Sequence, residues 1–248
     1  MARAAKKKPT PKKSAVKKKP GKARKRPIRW LMRWTFRGAI AFGALILFAI
    51  LLFAVINPPT TPYMFSEGRR LGGVDQQWVD WEEISPVMAR SVVAAEDANY
   101  CLHWGFDMAA IRQALDKGGK RGASTISQQV VKNVYLWQGR SWFRKALESV
   151  MTPVLEAVWT KRRILEVYLN VAEFDEGVFG VEAAARNYFR VGPQKLTPIQ
   201  AARLAAVLPN PKDRSASNPT AFLRKRSRSI VDGAATIVAD GRAACFES

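Results

Sequence analysis

Two stretches, EDANYCLHWGFD from Glu96 to Asp107 and GASTISQQVVKNVYL from Gly122 to Leu136, decide how this chain is read. In the first, an acidic pair closes an apolar run, VVAA. Partial burial there would raise a carboxyl pKa and suit Glu96 to act as an acid or base, although an isolated acidic pair is more often a solvated helix end. In the second, Lys117-Gly-Gly-Lys120-Arg121-Gly122 leads into a helix start whose free N–H groups and dipole favour an anion, with Lys132 about two turns further on. The spacing is not that of a P-loop, and a solvated basic loop is the ordinary alternative.

Outward from these stretches the chain reads as helical. Ser85-Pro86 supplies a cap and a first-turn proline, and Asp107 can cap a helix carrying Met108, Ile111 and Leu115. Thr125-x-x-Gln128 and Thr197-Pro198-x-Gln200 are capping-box patterns. Trp142 to Trp159 and Ile164 to Asn170 have helical apolar spacing, with Pro153 a kink site, and alternating β-branched patterns are scarce. Arg144-Lys145-x-x-Glu148 places two cations and a carboxylate at helical spacing, for which an intrahelical ion pair is the ordinary reading; Glu156 and Glu166 extend the acidic series.

Charge is unevenly spread. The first 37 residues hold 16 of the 41 Lys and Arg and no Asp or Glu, leaving 25 basic against 20 acidic residues in the remainder. Such a tail should be disordered, and alone it would suggest a nucleic-acid-binding arm. The 19 uncharged residues Gly38 to Ile56 change that reading. As a helix they extend about 28 Å, close to a bilayer's hydrocarbon thickness. They are too long for a typical signal-peptide core and lack an A-x-A cleavage site, so an uncleaved anchor is favoured over a signal peptide. The basic flank, with Trp30 and Trp34, places the N-terminus in the cytoplasm, and no nucleic-acid partner is expected. Residues 57–77, rich in Pro and Gly, read as a linker, and 78–248 as one domain. One His and two distant Cys argue against a soft-ligand metal site; a carboxylate-held Mg²⁺ or another divalent cation stays open, with no organic cofactor. Cys101 and Cys245 would be able to pair outside the cytoplasm, but their spacing cannot show that they meet.

Four blocks in order resemble the monofunctional biosynthetic peptidoglycan glycosyltransferases (glycosyltransferase family 51), a family that also forms a domain of bifunctional penicillin-binding proteins. EDANYCLHWGFD is similar to the family's E-D-x-x-F-x-x-H-x-G-x-D, with Tyr100 for Phe. GASTISQQVVKN matches G-x-S-T-I-x-Q-Q-x-x-K-N, and RKALE (Arg144 to Glu148) and KRRILEVYLN (Lys161 to Asn170) follow. FDEG at Phe174 to Gly177 departs from a more neutral turn. The resemblance implies a mainly α, lysozyme-like catalytic domain behind one transmembrane helix. It further implies polymerisation of lipid II onto a lipid-linked glycan at the bacterial inner membrane, with other cell-wall synthesis proteins as partners and no transpeptidase activity.

By the same resemblance Glu96 is the general base and Glu148 assists at the donor, by holding a divalent cation or by positioning the diphosphate. Lys132, Arg144 and Lys145 stabilise the diphosphate, Ser124, Thr125, Gln128, Gln129 and Asn133 line the donor cleft, and Asp97 and Glu166 support. His103, Gly105 and Asp107 shape the first motif. A glycan-cleaving hydrolase is the nearest enzymatic rival, but its alcohol leaving group gains little from clustered Lys and Arg. A non-catalytic scaffold would not need Glu96 and Lys132.

Overall fold

The computed structural model describes residues 27–118 and 124–247. The N-terminal tail before Pro27 and the Lys120-Arg121-Gly122 part of the basic loop lie outside them. Two compact units are resolved, Met1–Gly43 and Ala44–Ser248.

The apolar segment forms α1 (Pro27–Phe53), which begins earlier and ends sooner than the expected span of 38–56, because the mixed segment RWLMRWTFR is itself helical. Its residues Arg29–Phe53 are long and apolar enough to cross a membrane. Near its start the rings of Trp30 and Trp34 lie 6.1 Å apart and Arg37 sits over Trp34, an arrangement suited to a membrane interface.

The expected linker is a correction. It contains α2 (Pro62–Leu71), capped by Thr61, whose hydroxyl accepts from Met64 N–H, and ended by Gly72 in the left-handed region (φ 82°). It also contains β1 (Asp75–Gln76). Ten residues with only Met64 and Glu67 buried make too little apolar period to announce a helix, and its start is marked by the Thr61 cap and Pro62 at the first helical position.

Next come α3 (Pro86–Glu96), α4 (Met108–Asp116), α5 (Ile126–Tyr135), α6 (Trp142–Val158) and α7 (Lys161–Val171). Asp107 caps α4 through Ala110 N–H, and complete capping boxes start α5 (Thr125, Gln128) and α9 (Thr197, Gln200; α9 is Pro198–Val207). Ser85 makes no side-chain cap bond, so Pro86 at the first helical position marks that start instead. α6 carries Pro153 as one helix.

Two short strands, β2 (Glu173–Asp175) and β3 (Val178–Phe179), complete a sheet of order β1-β3-β2, parallel between β1 and β3 and antiparallel between β2 and β3. The acidic turn of FDEG is matched locally: Arg70 on α2 pairs with Glu176 at 2.7 Å, and Asp175 accepts Glu176 N–H. α8 (Val181–Phe189), α10 (Ala221–Ala239) and the short α11 (Ala244–Glu247) follow.

The core has two packing groups. α3, α9 and α10 pack together, while α5 lies against α6 and α7. Fully buried Ile50, from the last turns of α1, belongs to this core with Ile126, Leu155, Ile164 and Leu169. Tyr100 is buried where a Phe was expected, and its hydroxyl is satisfied by donating to Lys161 O at 2.8 Å. Cys101 and Cys245 form a disulfide, with Cα atoms 5.6 Å apart, tying α11 to the Tyr100–Leu102 turn within the first motif.

Candidate active site

Helix α3 ends at Glu96 because Asp97 leaves helical geometry (φ −157°, ψ 68°), which sets two adjacent carboxylates in different surroundings. Glu96 is half-buried and accepts Gln129 Nε2–H at 2.9 Å; the Gln129 carbonyl oxygen in turn accepts Tyr168 O–H at 3.2 Å. Burial pushes the Glu96 carboxyl above its ordinary pKa, and neighbouring Asp97 adds to the rise. The Gln129 bond and the charges of Arg226 and Lys132 oppose it. Asp97 is buried and points the other way, accepting Ile126 N–H at 3.0 Å and contacting His103 Nε2 at 2.8 Å.

The remainder of the first motif is a frame. Thr125 Oγ1 donates to Gly105 O at 2.7 Å, and Asn99 donates to Asp107 at 2.9 Å. Gly105 has φ 84°, and a Cβ there would stand 2.7 Å from Thr152 Cγ2, so both backbone and space require glycine.

On α5, Gln129, Lys132 and Asn133 lie three and four residues apart and so share a face. Lys132 is half-buried, and burial lowers its pKa. Arg144 and Lys145 lower it further, while Glu148 and Glu96 raise it, which puts both proposed acidic residues and both α6 cations within electrostatic reach of one ammonium group. On α6, buried Glu148 binds Arg144 at 2.6 Å and also Lys145 Nζ, so each of its oxygens has a cationic partner.

Gln129, Lys132, Asn133 and Tyr168 line one side of a cleft of about 280 Å³; Tyr63, Glu173 and the Leu208–Lys212 loop line the other. Arg144 and Lys145 line a second recess with Arg140, Ser141 and Trp142. Thus the structure brings Glu96, Gln129, Lys132 and Asn133 together, and sets Glu148, Arg144 and Lys145 on α6, the helix packed against α5. Thr125 and Gln128 are buried and spend their side chains on the α5 cap, and Ser124 is exposed beside it. Glu166 is engaged elsewhere, with Arg163 at 2.8 Å. Glu156 takes Ser127 O–H and the Lys161 ammonium group.

Tyr168, Tyr63, Glu173 and Lys212 were not legible as cleft residues. Tyr168 stands two positions after Glu166, and residues two apart on a helix face different sides, so an acidic residue drew attention from the face that matters. Tyr63 fell in the supposed linker. Its hydroxyl donates to Glu173, and Lys212 binds Glu67 at 2.9 Å and lies 3.8 Å from Glu173, which closes the far wall with paired charges.

The sequence model of the family described as Transglycosylase matches residues 66–235. A "Biosynthetic peptidoglycan transglycosylase" of Jannaschia sp. (strain CCS1) is 60% identical over 216 residues, covering 87% of this chain and 90% of that protein. Proteins of the same description from Xanthomonas campestris pv. campestris (strain B100) and Yersinia pseudotuberculosis serotype O:3 (strain YPIII) are 45% and 46% identical, covering 82% and 84% of this chain and 87% and 91% of their own lengths. The helical architecture agrees with the lysozyme-like domain expected from the four motifs. An apolar helix, a carboxylate of raised pKa and a neighbouring cation cluster therefore stand in a chain that belongs to the transglycosylase family, as an enzyme of the peptidoglycan glycosyltransferase class.

Proposed function

We propose that the enzyme elongates glycan strands from lipid II. The 4-hydroxyl of an incoming lipid II sugar loses its proton to Glu96 as its oxygen attacks the anomeric carbon of the lipid-linked glycan. The C–O bond to undecaprenyl diphosphate breaks, the electron pair leaves with the diphosphate, and the configuration inverts. Lys132, Arg144 and Lys145 stabilise the charge that accumulates on the leaving group. The observation that carries this reading is the α5 face on which Gln129, bonded to the Glu96 carboxylate, stands beside Lys132 at the cleft, with burial raising the Glu96 pKa and the Arg144–Lys145 pair carried by the helix packed against α5.

Two further features support a membrane setting. Leu102 and Trp104 within the first motif, and Trp142 and Phe143 directly before Arg144, are exposed, apolar surface suited to lipid-borne substrates. The Cys101–Cys245 disulfide suits an oxidising compartment, so we place the catalytic domain outside the cytoplasm and the N-terminus within it.

The residues at Glu148 do not fit a protein-held Mg²⁺. A divalent cation seeks several free oxygens, whereas both Glu148 oxygens are engaged by Arg144 and Lys145, and no group of three metal-ligating side chains occurs among the described residues. The mechanism therefore gives Glu148 the role of positioning the two cations.

The test is polymerisation of labelled lipid II by the purified full-length protein beside Glu96→Gln. Long glycan products that vanish in the variant are expected; cleavage of preformed strands without polymerisation would replace this reading with hydrolysis.

A further inference from the structure

The last carbonyls of an α-helix have no partner within the helix. At the end of α1 two side chains reach them, chief among them Arg163. Arg163 donates from Nε and Nη2 to Phe53 O at 3.2 and 3.1 Å, and from Nη2 to Ile56 O at 3.1 Å, while Nη1 is held by Glu166 at 2.8 Å. The guanidinium lies over the rings of Trp78 and Trp159, at 5.5 and 5.9 Å, and Trp159 Nε1 donates to Ile50 O at 2.7 Å. The Phe53 ring is 6.1 Å from Tyr135 on α5. The helices that receive α1 are thus those that carry Gln129, Lys132 and Tyr168.

We propose that Arg163 is a positioning residue that clamps the exit turn of the apolar helix to α5 and α7, so that this exit and the cleft move as one body. The inference rests on the reading that both substrates are lipid-borne. A cleft on a loose chain would sample many heights above a bilayer, whereas a clamped one stays at the level where the diphosphates emerge. Arginine is required because only its planar fork reaches two carbonyls and a carboxylate together. Glu166 then acts by holding that fork rather than by lining the cleft.

The experiment uses the full-length protein in liposomes. Spin labels at Val55→Cys and Ala157→Cys, both exposed positions, should give a narrow distance distribution in the parent. It should broaden in Arg163→Gln and Arg163→Lys, and to a lesser degree in Glu166→Gln. A flexible Gly-Ser insertion between Ile56 and Asn57 should leave it narrow, because the clamp and not the covalent connection sets it. Polymerisation of bilayer-embedded lipid II should fall roughly 10- to 100-fold in Arg163→Gln, as expected for misplaced reactants. Activity on a short-chain, water-soluble lipid II analogue should stay near the parent's. An unchanged distance distribution in Arg163→Gln, or equal losses on both substrates, would overturn the proposal. The distance measurement needs no turnover, so a parent that polymerises nothing would sink the functional reading and leave the clamp separately judged.

Discussion

The Asp97 carboxylate accepts the backbone N–H of Ile126 at 3.0 Å, joining the end of the α3 motif to the first turn of the α5 motif. This bond explains why two acidic neighbours divide their work. Asp97 meets the positive end of a helix and a half-buried His103, while Glu96 takes a single amide donor from Gln129, a residue that lines the cleft.

Asp97→Ala should therefore act on the fold before it acts on chemistry. Charge-assisted bonds to a buried carboxylate contribute about 1.5 to 3 kcal/mol each, so a loss of roughly 2 to 5 kcal/mol is expected. Chemical denaturation of the detergent-solubilised protein would measure it. A variant as stable as the parent would mean that Asp97 does not join the motifs.

Glu96→Gln should lose at least ~10²-fold in turnover, the lower range for removing a general base. Because burial raises the Glu96 pKa in the folded protein, its protonated form is favoured by folding: that stability is complete below the ordinary carboxylate value and is lost as pH rises through the raised one. Two results follow. The acid limb of the rate profile should lie above the usual carboxylate range, and Glu96→Gln should melt higher than the parent near neutral pH. A variant that melts lower would contradict the assigned direction.

Glu148 raises the Lys132 pKa against burial and against Arg144 and Lys145. Glu148→Gln should then bring the alkaline loss of activity to lower pH, and added Mg²⁺ should not restore it. Lys132→Met should cost ~10² to 10³-fold, the scale of losing one preorganised charge-stabilising group. Rate profiles with chelator and with Mg²⁺ distinguish these outcomes, and rescue by the metal would reopen a cation site at Glu148.

The disulfide closes a segment with a sequence separation of 144, so the double variant Cys101→Ser, Cys245→Ser should lose about 2 to 5 kcal/mol. Thermal melts with and without reductant would show it. Since the bridge fixes the turn after Asp97, activity should decline at a lower temperature in the reduced protein.

The apolar run, the capping boxes of α5 and α9 and the Asp107 cap were legible because each depends on neighbours within a few residues. Helix α2 was not, since its marginal apolar period is completed by Glu173, Glu176 and Lys212 from distant segments. Sequence placed Thr125, Gln128, Gln129, Lys132 and Asn133 at one helix and marked the first two as its capping box; only packing showed that the other three face the cleft. Sequence left open whether Cys101 and Cys245 meet, and the fold joined them; Glu166 pairs with Arg163 within one turn of α7, and the fold set that pair against the end of α1. Local periodicity and capping fix which residues share a helix face. What that face meets is decided by contacts between residues far apart in the chain, on which local pattern is silent.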